Sequence, residues 1–568
     1  MKRILLSTIL PLLAIMAIQA QVYLCGAVNN WDITKTLEFA RNDNGLYFLK
    51  VNFASGEEFK ISTVKTESDN VSEAWAEFDK GVLGLNGDAV LNKWLTLTAG
   101  YAPNIKAPAK GEYTLYVDLS TNKLFFSDGE TGPEPDKPWS GTLPVLFINT
   151  NDNLPVDSKE VYRKGTYYLD PMGVEGIEAI GSVAEPLTLQ IKGRGNYTWT
   201  GFDKKPYRLK LDEKAPLMGM KKSKHFAILA HADDNLGHLR NEAGFALSRK
   251  LGLPWTPASK PLEVVLNGDY IGLYWLTETI RVDKDRVNVV EQKDLATTDV
   301  DGGWLVEIDN YDSDPHVTVT AADGYNIWFT YKSPEELSSE QESYLESQMT
   351  AINTAVDKGD FKSLSELVDI DCLARYYMVQ QLMQDRESFH GSCYLNRQRG
   401  ESNKWMFGPV WDFGNAFMDG TGTDPVFIGQ ANFYQVWIPG IYKMDGFVKA
   451  VTTVWAGQTG KLCNDVISEL KPIAESIVDA AKADAARWPQ YAQTDIMAKY
   501  DRLSTYLANS CQWAEDEWKS GSVTDMTLEH NGAVRYFNLQ GIELQSPVAG
   551  DVVVRLQGSH ADKIIYNE

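Results

Sequence analysis

A short linker most constrains how this 568-residue chain folds, because it separates two kinds of sequence pattern. Residues 128–142 are rich in proline, glycine and charge, a composition that buries little apolar surface. Before the linker, residues 21–127 contain short alternating runs separated by Gly, Asn and Asp turns, which predict a small β-sandwich. After it comes a β-rich stretch with a hairpin turn at Asn267-Gly268 and one helix that stops at Gly252. Helical patterns follow, the first of which opens at Ser333-Pro334. The length of the chain suggests about three or four domains.

The first twenty residues have the pattern of a secretory signal peptide. Lys2 and Arg3 precede an apolar run, and Ala20 is the small residue expected before a cleavage site. We therefore expect residues 1–20 to be removed and the protein to be secreted, into the periplasm or to the cell surface. No later apolar run reaches the ~18 residues of a membrane helix, so the sequence predicts no transmembrane segment.

The charge of the chain argues against one class of partner. Lys and Arg number 54 against 77 Asp and Glu, which gives a net charge of −23. Such a surface repels phosphate backbones, so we expect no nucleic-acid partner. Seven cations nonetheless fall close together in this acidic chain, at Lys192, Arg194, Lys204, Lys205, Arg208, Lys210 and Lys214.

This basic segment has two interpretations. Glycines beside Arg194 let backbone N–H groups approach an anion. Strand alternation then sends Arg208 and Lys210 to one face and Tyr207 and Leu209 to the other. The pattern suits a polyphosphate that lies over a sheet, and equally a solvated basic strand.

Two further sets of charged residues have both functional and structural interpretations. Arg240 and Asn241 open a predicted helix, where Arg240 could bind a phosphate or carboxylate. Alternatively, Asp233 or Asp234 caps this helix and Arg240 makes a structural ion pair. Glu278 ends an apolar strand, where it either pairs with a lysine or is solvated.

Two aspartates form the most informative candidate site. Asp385 follows a helical run and precedes a loop, and Asp412 lies among Trp, Phe and a Gly-Pro turn, so we expect the surroundings of Asp412 to be partly buried. A buried carboxylate is costly unless it is paired or holds a cation. On adjacent loops opposite a basic cluster, two aspartates suit phosphoryl transfer: one accepts the proton of the attacking hydroxyl and the other holds a divalent metal. Two structural aspartates remain the alternative.

The cysteines do not indicate a zinc ribbon or a disulfide scaffold, because the five of them are sparse and form no C-x-x-C. Cys463 and Cys511 lie in helical sequence and could pair in an oxidising compartment. We favour two free buried thiols.

Several motifs occur in a fixed order: RGNYTW, KKPYRLKL, LRNEAGFALSRKLG, EVVLNGDYIGLYWLTE, RVN and GPVWDFGNAF. Together, over roughly residues 143–520, they resemble the CotH kinase family, named for spore coat protein H and common among secreted proteins of Bacteroidetes. The resemblance implies an α+β fold with an atypical, minimal kinase-like domain of two lobes, the first β-rich and the second helix-rich. It also implies that ATP and Mg²⁺ or Mn²⁺ are used to phosphorylate serine on a secreted or surface protein.

The resemblance assigns a role to each candidate residue. Asp385 would be the catalytic base and Asp412 the metal ligand. ATP would be bound by Arg194, Lys205, Lys210, Arg240 and Asn241, with Glu278 as a lysine partner. Ser392 stands where many members have a second metal ligand, Asn, and Gly414 stands where many have a second Asp.

Two shorter resemblances concern the ends of the chain. The run from Gly26 to Trp31 resembles small starch-binding and SusE/SusF-type modules, which implies a glycan partner, although for Trp31 itself we favour core packing over sugar binding. Residues 521–568 resemble the C-terminal sorting domains of Bacteroidetes secreted proteins. A second hypothesis is therefore a catalytically inactive CotH fold that acts as a surface adhesion or glycan-binding protein.

Overall fold

The structure is a computed structural model, and it divides into two compact units. It describes residues 21–519 and 535–566 apart from 43–44, 101–102, 120, 130–131, 134–136, 293–299, 310, 312–313, 401–402, 419–433, 459, 538–542, 545–546, 551 and 558–559. The first unit comprises Met1–Asp233, Ser259–Thr279 and Ser476–Thr494, and the second comprises Asp234–Ala258, Ile280–Glu475 and Asp495–Glu568. The predicted signal peptide, residues 1–20, lies outside the described residues.

The N-terminal part of the first unit is a β-module with one short helix, α1 (Val71–Phe78). Its strands are β1 (Tyr23–Gly26), β2 (Leu37–Glu38), β3 (Ala40–Arg41), β4 (Tyr47–Phe53), β5 (Glu58–Ser62), β6 (Val82–Leu85), β7 (Trp94–Ala99), β8 (Ile105–Lys106), β9 (Gly111–Asp118) and β10 (Lys123–Ser127). They pair in the order β2-β1-β5-β6-β7-β10-β9-β4-β3, with β8 on β5.

Strand β7 changes partner along its length, and this folds the sheet around one core. Its residues Leu97–Ala99 pair with β6, whereas Trp94–Thr96 pair with β10. Buried side chains from both halves, such as Leu24 and Leu115, belong to the same hydrophobic cluster. Alternation along strands such as β4 and β5 turns one face of each strand towards this cluster.

The rest of the first unit is a closed barrel of seven strands. These are β11 (Val145–Thr150), β12 (Arg163–Asp170), β13 (Leu187–Gly193), β14 (Tyr207–Ala215), β15 (Ser223–Leu229), β16 (Ser259–Leu266) and β17 (Asp269–Glu278). The order around the barrel is β11-β12-β13-β14-β15-β17-β16. A short helix, α2 (Tyr197–Gly201), lies between β13 and β14.

Local signals explain two features of the barrel. Asn267 and Gly268 both have positive φ, 53° and 77°, as the tight turn of the β16–β17 hairpin requires. The C-terminal end of the predicted linker packs against the barrel, since Trp139 joins a buried cluster and Ser140 donates its N–H to Glu263 at 3.0 Å. A tryptophan supplies the apolar area that the preceding prolines and charges lack.

The second unit is mainly helical. Of the helices named next, α10 lies in the first unit. The helices are α3 (Arg240–Leu251), α4 (Ser339–Asp357), α5 (Phe361–Leu367), α6 (Ile370–Met383), α7 (Ile438–Ile441), α8 (Asp445–Ala456), α9 (Leu462–Ser476), α10 (Val478–Arg487) and α11 (Ile496–Lys519). Five strands form a sheet in the order β19-β20-β18-β21-β22. They are β18 (Trp304–Asp309), β19 (His316–Thr320), β20 (Asn326–Ser333), β21 (Cys393–Arg397) and β22 (Met406–Phe407).

The helix ends show where local sequence signals succeed and where they fail. Helix α3 stops at Gly252, whose φ of 77° allows the left-handed C-cap, as predicted. Helix α4 does not begin at the predicted Ser333-Pro334 but at Ser339, because Ser338 and Gln341 form a capping box. Ser333 instead ends β20 and pairs with Leu305.

The prediction of two free thiols at Cys463 and Cys511 is wrong, since the two residues form a disulfide between α9 and α11. The two Cα atoms are 6.4 Å apart, a separation that the packing of these helices decides and the sequence does not show.

The C-terminal part pairs four short strands in the order β24-β23-β25-β26: β23 (Arg535–Phe537), β24 (Glu543–Leu544), β25 (Val552–Gln557) and β26 (His560–Ile565). No helix within the described ranges is long and apolar enough to cross a membrane. The α+β fold class is confirmed; the predicted domain boundaries, including those of the sorting-like tail, stay predictions.

Candidate active site

Asp385 lies just beyond the end of α6, where Gln384 adopts a left-handed φ of 54°. The Asp385 side chain is fully buried, at 0% exposure. Its Oδ1 accepts a hydrogen bond from the Glu387 N–H at 3.3 Å, and its buried Oδ2 has no hydrogen-bond partner. A carboxylate oxygen left in this way is costly, which marks it as a position that a proton or cation would stabilise.

The electrostatic surroundings of Asp385 include the second candidate aspartate. Burial is the largest cause that raises the pKa of Asp385 well above its usual range, followed by the charges of Glu387 and Asp412. The Glu387 N–H and the Arg240 guanidinium lower this pKa. The charge of Asp412 therefore acts on Asp385, and the hydrogen bond from Asn415 to Glu387 joins the two loops within the second unit.

Asp412 lies in the loop after β22 and has a φ of 58°, which is unusual for a residue other than glycine. The surroundings of Asp412 are partly buried, as expected, since Phe413 is buried and Trp411 half-buried, whereas Asp412 itself is exposed. The aromatic residues of the loop turn towards the core and leave the carboxylate outside. Its Oδ1 accepts a hydrogen bond from the Gly414 N–H at 3.4 Å.

Helix α3 holds the Asp412 loop in place. The Arg240 guanidinium donates to the carbonyl oxygens of Gly414 at 2.6 Å and Ala416 at 3.2 Å, and Asn241 Oδ1 accepts from the Phe413 N–H at 3.0 Å. Gly244 lets α3 approach closely, because a Cβ there would overlap the Phe413 ring.

Arg240 and Asn241 were predicted to bind the cofactor, but the structure directs both side chains to the chain's own loop. Arg240 is 2% exposed, and its Nε lies 3.3 Å from Asp234. Asp234 also accepts hydrogen bonds from the N–H groups of Leu236 and Arg240. These contacts match the structural alternative given for Arg240; cofactor binding by Arg240 and Asn241 stays a prediction.

Glu387 is a neighbour of both aspartates that sequence reasoning missed. Asn415, on the Asp412 loop, donates its side-chain N–H to Glu387 Oε2. Burial and then the charges of Glu387, Asp309 and Asp412 raise the pKa of Tyr311. The sequence feature that could have pointed to Glu387 is its position only two residues after Asp385.

Ser392 precedes β21 with a φ of 52° and is half-buried. Its neutral hydroxyl supplies less charge to a cation than a carboxylate does. Within the part of the chain that the structure describes, no group of three or more His, Cys, Asp or Glu side chains is arranged as a ready-made metal site. Asp385 and Asp412 offer oxygen ligands of the kind Mg²⁺ accepts, which usually takes one or two carboxylates and completes its shell with phosphate and water oxygens.

In the first unit, the predicted alternation along β14 is confirmed: Tyr207 and Leu209 are buried, whereas Arg208 and Lys210 are half-buried. Arg208 pairs directly with Lys192 on β13. Like charges in this register repel unless an anion lies nearby. The buried Nε of Arg208 has no hydrogen-bond partner.

Two other predicted cations lie near the glycine turn. Lys205 Nζ donates to the Trp199 carbonyl at 2.6 Å and lies 5.6 Å from the centre of its ring. The Arg194 N–H donates to the Pro206 carbonyl at 3.2 Å, so the turn folds back on the start of β14.

Glu278 and Lys210 face opposite sides of the barrel wall. Register places Glu278 opposite Phe226, whereas Lys210 is opposite the next residue, His225. The observed buried lysine–carboxylate pair is instead Lys204 with Asp484 of α10, at 2.8 Å. The sequence analysis counted Lys204 among the cations but could not find its partner 280 residues away.

A cavity of about 490 Å³ in the first unit is lined by other residues, among them Thr121, Asn122, Asp269 and Arg487. None of the predicted site residues lines it.

The barrel carries a cationic face, and the helical unit carries the two loops with Asp385 and Asp412. The chain is therefore an α+β protein whose candidate site is built on carboxylates. Residues 191–514, more than half of the chain, match the family model described as CotH kinase protein. The chain therefore belongs to the CotH kinase family.

The other comparisons concern the N-terminal module. Residues 17–126 match the family model described as SusF, first starch specific CBM. A crystal structure of SusF from Bacteroides thetaiotaomicron aligns at a TM-score of 0.17 and 13% identity, over 31% of this chain and 47% of that one. The alignment spans about half of the SusF chain, and at this TM-score it supports no structural conclusion. No curated protein matches significantly.

Proposed function

We propose that this chain is a secreted, divalent-metal-dependent protein kinase that transfers the γ-phosphate of ATP to a serine or threonine hydroxyl. The observation that carries the proposal is that, in a member of the CotH kinase family, the loop of Asp412 is joined to the segment after Asp385 by the Asn415–Glu387 hydrogen bond and the charge of Asp412 acts on Asp385. Two neighbouring carboxylates of unequal exposure suit two different roles.

In the proposed reaction, the acceptor hydroxyl oxygen attacks the γ-phosphorus and the bond to the β-bridging oxygen breaks. Asp385, in its ionised form, takes the hydroxyl proton, and ADP leaves. Asp412, whose carboxylate is exposed, would hold the metal, with Ser392 as a further oxygen ligand. The bound cation would supply positive charge to the phosphate oxygens. Since Asp385 is fully buried, the side chains around it must move before a hydroxyl reaches it.

We assign the phosphates of ATP to the basic face of the barrel, chiefly Lys205 and Lys210, with Arg194 in the glycine turn. The crowding of Lys192 against Arg208 and the unpaired Arg208 Nε support an anion at this face. Lys205 keeps donor capacity, because an ammonium has three N–H bonds and one serves the Trp199 carbonyl.

The kinase proposal is tested with the purified full chain, labelled ATP, Mg²⁺ or Mn²⁺ and a serine-rich acceptor protein. We expect transfer in the wild type and a loss of at least 10²-fold in Asp412→Ala. The exposed Asp501 provides the control Asp501→Asn, which should keep the wild-type rate. Transfer that persists unchanged in Asp412→Ala would remove the mechanism.

A second candidate function is a catalytically inactive CotH fold that binds a glycan at the cell surface. Full burial of Asp385 favours it, and so does an aromatic pair in the N-terminal module. Trp31 and Trp75 are half-buried with ring centres 6.2 Å apart, and Lys60 lies 5.9 Å from the Trp75 ring. Aromatic faces beside a polar group are typical of sugar platforms.

Retention on a starch-type polysaccharide tests this second candidate. We expect Trp31→Ala to abolish retention, and Trp94→Ala to keep it, because Trp94 pairs with Phe125 elsewhere in the module. Free passage of the wild type through the matrix would count against a glycan.

A further inference from the structure

We propose that the cavity of the first unit is a binding site for a short, uncharged saccharide. The cavity has a volume of about 490 Å³, and residues of both the N-terminal module and the barrel line it. This volume falls within the roughly 300–1,000 Å³ of small-molecule sites. The proposal does not depend on the kinase chemistry, because none of the residues assigned to that chemistry lines the cavity.

Two turns that touch each other form one side of the cavity. Asn122, in the turn before β10, donates its side-chain N–H to the Asn267 carbonyl at 3.0 Å. Gly268 permits this approach, since a Cβ there would lie 2.5 Å from the Asn122 amide nitrogen. Strand β7 adds the exposed hydroxyl groups of Thr96 and Thr98. The cavity is therefore lined by polar groups that fixed backbone segments carry.

Arg487 of α10 and Asp269 of β17 form a charged pair at the cavity. The Arg487 guanidinium donates to Asp269 Oδ2 at 2.8 Å and to the Tyr270 carbonyl at 3.0 Å. It also lies over the Trp488 ring, 4.2 Å from the ring centre. A guanidinium has five N–H bonds, so donors remain for a ligand. Because Arg487 is already oriented, a ligand loses little free energy in ordering it.

The charges at the cavity favour an uncharged ligand. Asp269 repels an anion, and Arg487 repels a cation. The other charged residue that lines the cavity, Lys123, lies directly opposite Asp118 in the register of β9 and β10, so a carboxylate also accompanies this cation. Positive and negative groups thus balance around the space that a ligand would fill.

The hydrogen-bonding groups favour a ligand with many hydroxyls. A sugar hydroxyl both donates and accepts, which suits a guanidinium, a carboxylate, an amide and threonine hydroxyls together. Thr121 also lines the cavity; it is 2% exposed, and its hydroxyl has no hydrogen-bond partner within the described part of the chain. Buried hydroxyls are seldom left in this state, so the site is incomplete without a further polar group. Leu97 and Ala483 supply apolar surface for the C–H face of a sugar ring.

The test is calorimetric titration of the full chain with four uncharged disaccharides: maltose, cellobiose, lactose and sucrose. We expect at least one to bind and Asp269→Asn to weaken that binding at least 10-fold, because the variant loses a charged acceptor and the partner of Arg487. Asp157→Asn is the matched control. It breaks an equally exposed pair with Arg163 that does not line the cavity, and it should bind as the wild type does.

A second variant blocks the cavity without removing a charge. Ala486 lines the cavity at an exposed position of α10, so Ala486→Phe fills the space without entering the core and should abolish binding. Circular dichroism checks that each variant keeps its fold. Full binding by Ala486→Phe would overturn the proposal.

Trp31→Ala separates the cavity from the aromatic pair of the N-terminal module, which does not line it. Binding that persists in Trp31→Ala and is weakened in Asp269→Asn supports the cavity. Binding that is lost in Trp31→Ala and kept in Asp269→Asn assigns the sugar to the aromatic pair and overturns the proposal. A wild type that binds none of the four disaccharides overturns it too, and so does equal weakening by Asp269→Asn and Asp157→Asn.

Discussion

At the scale of single residues, the candidate site is defined by how differently two aspartates are placed. Asp385 is sealed from solvent, whereas Asp412 is exposed on a backbone with positive φ. The aromatic residues beside Asp412 predicted partly buried surroundings; these residues face the core while the carboxylate of Asp412 is exposed. Burial of Asp385 depends on the side chains that cover it from other elements, which no local pattern reports.

Asp385→Asn should stabilise the protein while it abolishes phosphate transfer. The raised pKa means that folded Asp385 binds its proton more firmly than the unfolded chain does, so the free energy of unfolding falls as pH rises above about 4 towards the folded pKa. Asparagine does not ionise, so the variant does not lose unfolding free energy in this way as the pH rises. We expect a gain of about 1–2 kcal/mol at pH 8 and a smaller gain at pH 5, from urea unfolding at both pH values.

The exposed Asp501 supplies the control, since Asp501→Asn should change stability by less than about 0.5 kcal/mol at either pH. A stability difference between Asp385→Asn and the wild type that does not grow with pH would contradict the raised pKa.

At the scale of elements, packing between helices decided what their separate sequences left open. Helix α3 was predicted from its apolar spacing and its glycine stop, yet its role as the support of the Asp412 loop required Phe413 and Gly414 to approach it. In the same way, α9 and α11 carry one cysteine each, and only their packing shows the disulfide.

Loss of the Cys463–Cys511 bridge should lower stability without changing the fold. The bridge joins two cysteines that are 48 residues apart in sequence. It restricts the unfolded chain, and the loop-entropy estimate gives a loss of about 4 kcal/mol in the free energy of unfolding when the bridge is absent. We expect the double variant Cys463→Ser, Cys511→Ser to unfold at a lower temperature, measured by calorimetry. Reductant should bring the wild type to the same midpoint and leave the double variant unaffected; equal midpoints without reductant would refute the stabilising role.

At the scale of the whole molecule, the first unit is assembled from three separate segments of the chain. The segment Ser476–Thr494 returns to the barrel, where Asp484 accepts from the Leu273 N–H at 2.9 Å and pairs with buried Lys204. The Trp488 indole N–H also donates to the Ile271 carbonyl at 2.8 Å. These contacts make a C-terminal segment part of an N-terminal unit.

Asp484→Asn should destabilise the protein by about 3–5 kcal/mol, because it leaves the Lys204 ammonium buried without its counter-charge. Burial already lowers the pKa of Lys204, and Asp484 opposes that effect. Chemical unfolding at pH 7 measures the loss. Asp479→Asn on the same helix breaks only a surface pair with Lys482 and should cost less than about 1 kcal/mol; similar effects of the two variants would refute the buried pair.

The sequence by itself determined the α+β class, the N-terminal β-module, the alternation along β14, the Asn267-Gly268 turn and the family. These depend on local periodicity, turn chemistry or ordered motifs, so they can be read along the chain. Only the tertiary structure decided the burial of Asp385, the partners of Arg240 and Lys204, the disulfide, and the approach of Glu387 to the Asp412 loop. Each of these depends on groups brought together from distant segments, and burial and charge act through distance in space rather than along the chain.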